Sequence, residues 1–158
     1  MTAETTAPDH ADVRVVPPLL YAVPLGVGLA LHAAAPLTIP GRPGTAVLGG
    51  ALVVGGALLV ASAAGTFRGR GTTILPHRPV ATLVTSGVFR LTRNPMYVGL
   101  AAAYAGVAAL LGSWWPLALL PLVLVAVDRL VIAREEPYLA RAFGAQYEAY
   151  RRRVRRWL

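Results

Sequence analysis

The stretch GVFRLTRNPMYVG, residues 87–99, contains the transition that decides the fold. The polar part of this stretch ends at Asn94, and a long apolar run begins at Pro95. Proline favours the first turn of a helix and pushes the preceding residue out of helical geometry, so we predict a helix that begins at Pro95. Arg90 and Arg93 flank this helix start, where they could hold an anion such as a carboxylate or phosphate. They could also anchor a membrane helix at its cytoplasmic edge, and spacing alone slightly favours that second interpretation.

The composition around this stretch is typical of a membrane protein. The chain has 158 residues, of which 56% are hydrophobic and 14% charged, whereas a soluble domain carries about a quarter charged residues. We therefore predict an all-α membrane bundle of about four transmembrane helices. The apolar runs that would form them occupy residues 17–35, 45–67, 95–112 and 114–133.

We treat residues 1–158 as a single domain. Residues 17–67 would supply the N-terminal spans, and residues 68–158 a long loop, a helical hairpin and a tail that together form the functional site. Apolar residues inside the long connection, among them Leu83, Val84 and Phe89, favour an ordered lid on the membrane surface.

The arginines set the expected orientation. Net charge is +8, with five arginines in the long connection and seven from Arg134 onward, against one, Arg42, in the first turn. Positive charge marks the cytoplasmic side, so the loop and the tail should meet there, at the open end of the hairpin. Anionic lipid and topology explain this charge better than nucleic acid does. Heavy use of Arg, Ala, Gly and Val is typical of a bacterial chain, which would place the protein in the inner membrane.

The segment after the hairpin should consist of short cytoplasmic helices. Pro137 disfavours helix at Glu136, so we expect a break there and a new helix from Pro137. Gly144 is typical of a helix stop, with a second short helix from Ala145. The tail, RRRVRRWL, is basic and aromatic, which suits an anionic leaflet.

Two acids near the end of the hairpin have an open interpretation. Asp128 precedes Arg129 before the apolar run has ended, so the two could form a self-satisfied interfacial pair or the edge of a polar cavity. Asp128 and Glu135 are seven residues apart and would share one helical face.

The open end of the hairpin collects groups that could bind a zwitterion. Arginine suits a carboxylate, glutamate an ammonium group, and aromatic faces a cation. His77 has no partner at metal-ligand spacing, so we expect no metal site. The sequence has no cysteine, which excludes disulfides and thiolate chemistry.

Two motifs in order resemble a known family. TSGVFRLTRNPMYVG (85–99), followed by REEPYL (134–139), the Phe143-Gly144 pair, Tyr147 and Tyr150, is similar to the isoprenylcysteine carboxyl methyltransferases. That group is related to the phospholipid N-methyltransferases, and the resemblance covers residues 71–158. It implies an integral membrane enzyme that binds S-adenosylmethionine at the cytoplasmic end of the hairpin and methylates a lipophilic acceptor.

The resemblance also implies the site residues. Arg93, Asn94, Pro95 and Tyr97 correspond to the family's Arg-His-Pro-x-Tyr box, with asparagine in place of histidine. The expected catalytic residues are Arg93, Asn94 and Glu136, the last as a contact to an ammonium group or to the cofactor pocket. The expected cofactor-binding residues are Leu75, His77, Arg90, Thr92, Arg93, Asn94, Pro95, Tyr97, Glu135, Glu136, Tyr147, Tyr150 and Arg151.

The acceptor implied is an isoprenoid, a lipid or a lipophilic carboxylate, with membrane lipid as surroundings and no obligate protein partner. The sequence offers no compelling general base, which favours an acceptor that is already ionised. Two alternatives are a sterol-reductase-like membrane enzyme that uses NADPH and a non-enzymatic scaffold or transport subunit.

Overall fold

The computed structural model describes Val13 and residues 15–69 and 82–158, and within them the chain is built from helices. The five α-helices are α1 (Pro17–Ala34), α2 (Gly44–Gly69), α3 (Pro95–Leu111), α4 (Trp114–Val127) and α5 (Ala133–Arg153). A 3-10 turn, Gly87–Arg90, precedes α3, and a π-helical turn, Asp128–Ile132, joins α4 to α5. Helix α3 begins at Pro95, as predicted.

Three of the helical segments are long and apolar enough to cross a membrane: α1, α2 and the segment Trp114–Arg153, which comprises α4, the π-helical turn and α5. Helix α3 is equally apolar but has 17 residues, which corresponds to about 25 Å at the usual helical rise. Large apolar side chains of α1 and α2, such as Val23 and Leu58, are exposed on the outside of the bundle. These features confirm an all-α membrane helical bundle.

Helices α2 and α3 make close contact through glycines at a spacing of seven residues. Gly56 lies against Gly99, and Gly49 lies against Gly106. A Cβ atom added at Gly56 would collide with the Gly99 carbonyl oxygen and lie 2.8 Å from the Ala103 backbone nitrogen. Small residues of this kind let membrane helices approach each other closely, so packing stabilises the pair where lipid gives no hydrophobic driving force.

One end of the bundle is closed by backbone hydrogen bonds between two turns. The Ile39 N–H donates to the Gly112 carbonyl at 2.8 Å, and the Trp114 N–H donates to the Leu37 carbonyl at 2.9 Å. The Arg42 guanidinium donates to the Leu110 carbonyl at 2.7 Å. The α1–α2 turn is thereby tied to the tip of the α3–α4 hairpin.

The opposite end carries the strap (residues 82–94), helix α5 and the C-terminal tail. The strap is ordered by packing: Val84 and Phe89 are buried with Ala63 of α2, while Leu83 is buried with Tyr147 and Tyr150 of α5. The order expected of this segment is confirmed for the described part, whereas its position on a membrane surface stays a prediction. The Arg93 N–H donates to the Arg155 carbonyl at 2.9 Å, so the strap and the tail meet at the open end of the hairpin, as predicted.

The predicted helix break at Glu136 is wrong. Helix α5 runs through Pro137 from Ala133, and the π-helical turn lies just before it. A proline inside a helix needs the carbonyl group four residues earlier to tilt away, and π-turns are among the places where a helix tolerates such a distortion. Gly144, with φ 47° and ψ −125°, is the non-helical residue in α5, which confirms the helix stop predicted there.

The glycine contact between α2 and α3 can be tested by substitution at Gly56, with the neighbouring Gly55 as the control. Gly56→Ala should destabilise the protein by about 1–3 kcal/mol, because the added methyl group has no room. The neighbouring Gly55 has nothing within 4 Å of an added Cβ, so Gly55→Ala should leave stability unchanged or raise it by up to about 1 kcal/mol. Thermal unfolding of the detergent-solubilised variants measures both. Equal effects of the two substitutions would contradict the close contact.

Candidate active site

Arg93, at the end of the strap, is the cation on which the open end is built. Its Nη2 lies 3.1 Å from Oε1 of Glu136, and its Nη1 donates to the Tyr147 hydroxyl at 3.2 Å. The side chain is 11% exposed, and its buried Nε has no hydrogen-bond partner in the structure. A buried N–H without a partner is costly. The guanidinium is therefore oriented on two sides by Glu136 and Tyr147, and its Nε–H is a buried donor without a partner.

Glu136 binds a second arginine, Arg156 of the tail. The Arg156 Nε donates to one carboxylate oxygen at 2.9 Å, and Nη2 lies 2.5 Å from the other, a bidentate arrangement. The Arg156 Nη1 also contacts both oxygens of Asp128, at 3.2 and 3.3 Å. Chiefly through its hydrogen bond with Glu136, the pKa of Arg156 is raised above its usual value.

The π-helical turn explains which acids share this arginine. The expected common face for Asp128 and Glu135 is wrong: Asp128 and Glu136 both bind Arg156, whereas Glu135 binds Tyr97. Two ordinary helical turns bring the seventh residue over the first, but a π-turn adds one residue to the count. The eighth residue after Asp128 therefore takes that place. The open choice for Asp128 is also decided, because it binds Arg156 and the Trp157 indole N–H, at 3.3 Å, at a polar cluster.

The strap holds the tail by its backbone. The Thr92 hydroxyl and the Asn94 side-chain amide both donate to the Arg156 carbonyl, at 3.1 and 2.8 Å. The Asn94 backbone N–H in turn donates to the Thr92 hydroxyl at 3.1 Å. Asn94 thus acts as a hydrogen-bond donor to the tail, a role that an imidazole N–H could also fill.

Glu135 connects α5 to the membrane-spanning helices. The Tyr97 hydroxyl of α3 donates to Oε1 of Glu135 at 3.0 Å. The Tyr21 hydroxyl of α1 donates to the Tyr97 carbonyl, also at 3.0 Å. The two adjacent glutamates therefore point to different partners, one on α3 and the other on the strap and tail.

The structure brings most of the predicted site residues together. Tyr150 donates from its hydroxyl to the Phe89 carbonyl at 2.7 Å, which ties α5 to the strap. Joined in this network are Thr92, Arg93, Asn94, Tyr97, Glu135, Glu136, Tyr147 and Tyr150, and Pro95 is buried at the start of α3.

Two predicted arginines lie elsewhere. Arg90 is exposed, and so is Arg151, which pairs with Glu148 at 3.1 Å on the same helix. Leu75 and His77 lie outside the described residues.

Arg156 is the site member that the sequence prediction missed, and its partner Asp128 has two open interpretations from the sequence. From the sequence alone, the basic, aromatic tail indicates a leaflet anchor rather than a site residue. Asp128 itself is the signal in the sequence that points to this ion pair. A carboxylate at the end of an apolar run requires a cation, and the sequence predicts the tail arginines at the same end of the hairpin.

Comparison with known proteins places the chain in a family. The Phospholipid methyltransferase family matches residues 45–146, more than half of the chain. The chain therefore belongs to that family of membrane methyltransferases.

Two relatives match shorter segments. The chain is 40% identical over 72 residues to a Protein-S-isoprenylcysteine O-methyltransferase of Schizosaccharomyces pombe, covering 46% of this chain and 30% of that protein. It is 46% identical over 35 residues to an uncharacterized protein of Haemophilus influenzae, covering 22% of this chain and 56% of that one. The chain thus matches less than two thirds of either relative's length. No solved structure matches it significantly.

The ion pairs differ in what they contribute to stability. Glu136→Ala should destabilise the protein by about 1–3 kcal/mol, because it leaves the nearly buried Arg93 without its carboxylate partner. The loss at Arg156, whose side chain is 36% exposed, is reduced by solvent screening. Glu148→Ala removes an exposed pair, with side chains 49% and 39% exposed, and should change stability by no more than about 0.5 kcal/mol. Thermal unfolding in detergent measures both, and a loss at Glu148 as large as that at Glu136 would contradict this assignment.

The hydrogen bond from Asn94 to the tail gives a separate prediction. Asn94→Leu removes one of the hydrogen bonds to the tail backbone, worth about 1 kcal/mol. The tail should be held less firmly, so that carboxypeptidase releases the C-terminal residues about two- to fivefold faster. Asn94→His supplies an N–H in the same place and should keep the tail protected. Mass spectrometry over a digestion time course measures the release. Equal digestion of the leucine variant and the wild type would show that Asn94 does not hold the tail.

Proposed function

We propose that this protein transfers the methyl group of S-adenosylmethionine to a lipophilic acceptor at the open end of the bundle. The observation that carries the proposal is Arg93, whose buried Nε has no hydrogen-bond partner, while its two Nη atoms contact Glu136 and Tyr147. A carboxylate, such as the one on the amino-acid part of S-adenosylmethionine, fits that donor. When bound, this group supplies an electrophilic methyl on a positively charged sulfur, which leaves as the neutral thioether S-adenosylhomocysteine.

The chain's own residues would bind the methyl donor and orient it toward the acceptor. Arg93 holds the carboxylate, and Glu136 and Asn94 fix Arg93 and the tail around it. Glu135 accepts one hydrogen bond from Tyr97 and would supply the carboxylate that pairs with an ammonium group. Most of the rate gain would come from holding the methyl group and the acceptor in line for attack.

The acceptor is an isoprenoid, a lipid or a lipophilic carboxylate that reaches the site from the bilayer. Three apolar helices long enough to span a membrane and a shorter fourth support this proposal. The family's description names phospholipids, and the yeast relative's name gives an isoprenylcysteine as its acceptor. Both indicate acceptors with large apolar parts.

We further propose a bacterial inner membrane with the site facing the cytoplasm. Arg68, Arg90, Arg129 and Arg134 lie on segments at the site end, whereas Arg42 lies at the closed end. This asymmetry follows the rule that cytoplasmic loops carry the excess of positive charge.

Isothermal calorimetry with S-adenosylhomocysteine and purified, detergent-solubilised protein tests the proposal. Wild type should bind, and Arg93→Lys should bind at least about tenfold more weakly, because lysine keeps the charge but has no Nε donor or planar fork. Arg153→Ala is the control, since Arg153 is exposed and donates to the Ala149 carbonyl of its own helix; its affinity should equal that of wild type. A folded wild type that does not bind would contradict the proposal, and NADPH titrated in parallel would test the reductase alternative.

A further inference from the structure

We propose that Arg156, in the C-terminal tail, is a positioning residue of the donor site. It acts through Glu136 on Arg93, and this role rests on the proposed function. Arg156 itself needs no contact with the methyl donor. It would hold the Glu136 carboxylate in place, and that carboxylate would orient the Arg93 guanidinium that binds the donor.

The geometry is a chain of alternating charges. Asp128 contacts Arg156, Arg156 binds both oxygens of Glu136, and Glu136 contacts Arg93. Its two acids and two bases balance, so the cluster carries no net charge. Oε1 of Glu136 is shared, because it accepts from the Arg156 Nε at 2.9 Å and lies 3.1 Å from the Arg93 Nη2. Any rotation of this carboxylate would therefore change the orientation of Arg93.

The arrangement also separates the roles of the two adjacent glutamates. Both oxygens of Glu136 are bound to arginines, so Glu136 acts through Arg93 rather than by binding an ammonium group directly. Glu135, which is bound to Tyr97 of α3, is the carboxylate of this pair suited to an ammonium group.

The position of Arg156 is itself fixed by the segment that carries Arg93. Thr92 and Asn94 donate to the Arg156 carbonyl, and the Arg93 N–H donates to the neighbouring Arg155 carbonyl. The strap holds the tail backbone, and the tail side chain holds the partner of Arg93. This closed loop of contacts gives the tail a place in the site beyond that of a lipid anchor.

The test measures S-adenosylhomocysteine binding by calorimetry in tail variants that keep the fold. Arg156→Met, which keeps the length of the side chain, should weaken binding about tenfold, within the range of couplings between contacting residues. Arg156→Lys keeps the charge but loses the bidentate fork, and should fall between wild type and the methionine variant. Arg153→Met, at the exposed arginine three residues earlier, should bind as wild type does. Thermal unfolding without ligand verifies that each variant is folded.

A double-mutant cycle separates positioning from a merely structural role. Glu136→Gln should also weaken binding, and the double variant Glu136→Gln/Arg156→Met should bind no more weakly than the poorer single variant, because both act on the same chain of contacts. Losses that multiply would overturn the proposal.

The outcomes distinguish the two proposals. Wild-type affinity, or tighter binding, in Arg156→Met would overturn the role of Arg156 and leave the proposed function standing, since the wild type still binds. Failure of the folded wild type to bind would contradict the proposed function itself. If Arg156→Met does not fold, Arg156→Lys alone decides: binding at least about threefold weaker than wild type supports positioning, and equal binding overturns it.

Discussion

The open end of the hairpin depends on the ion pairs that the Glu136 carboxylate makes with Arg93 and Arg156. Charges taken out of water are expensive unless each is paired with good geometry. Glu136 is 14% exposed and Arg93 11% exposed, so the two need each other. Their pairing brings together three parts of the chain that are distant in sequence: the strap, helix α5 and the tail. Without this carboxylate, the helices would still form an apolar bundle, but Arg93 of the strap and Arg156 of the tail would lose the partner that they share.

The rest of the fold makes this pairing possible. Glycine contacts hold α2 against α3, and backbone hydrogen bonds close the far end of the bundle. Both fix the position of Pro95, where α3 begins, and hence of Arg93 two residues earlier. The π-helical turn then sets which acid of α5 faces the tail. π-turns inside α-helices occur frequently at functional sites, and here the turn aligns Asp128 with Glu136 on a single guanidinium.

Much of this could be predicted from the sequence. The apolar runs predict the helices by their length and composition, and Asn94-Pro95 predicts the start of α3, because both signals are local. The arginine asymmetry predicts that the strap and the tail lie at the same end, since charge and topology are coupled. The two motifs that contain Arg93 and Glu136 predict that these residues belong to one site, and the structure brings them into contact.

The remainder depends on three-dimensional contacts that local patterns do not contain. Nothing in residues 128–132 requires a π-turn. Ordinary helical rules therefore predict a common face for Asp128 and Glu135 and a break before Pro137, and the structure shows that both predictions are wrong. Arg156 is one of five arginines in the tail, and composition does not single it out. Two sets of contacts single it out. Its carbonyl accepts hydrogen bonds from Thr92 and Asn94, and its guanidinium binds the carboxylates of Asp128 in the π-helical turn and Glu136 in α5.

Hydrogen–deuterium exchange with and without S-adenosylhomocysteine, followed by mass spectrometry of the detergent-solubilised protein, tests the central claim most directly. If the donor binds at the Arg93 cluster, peptides from the strap and from α5 and the tail should become protected together. Peptides from the closed end, around Arg42 and Gly112, should not change. Protection at the closed end, or ligand binding that leaves the strap and tail unprotected, would contradict the account.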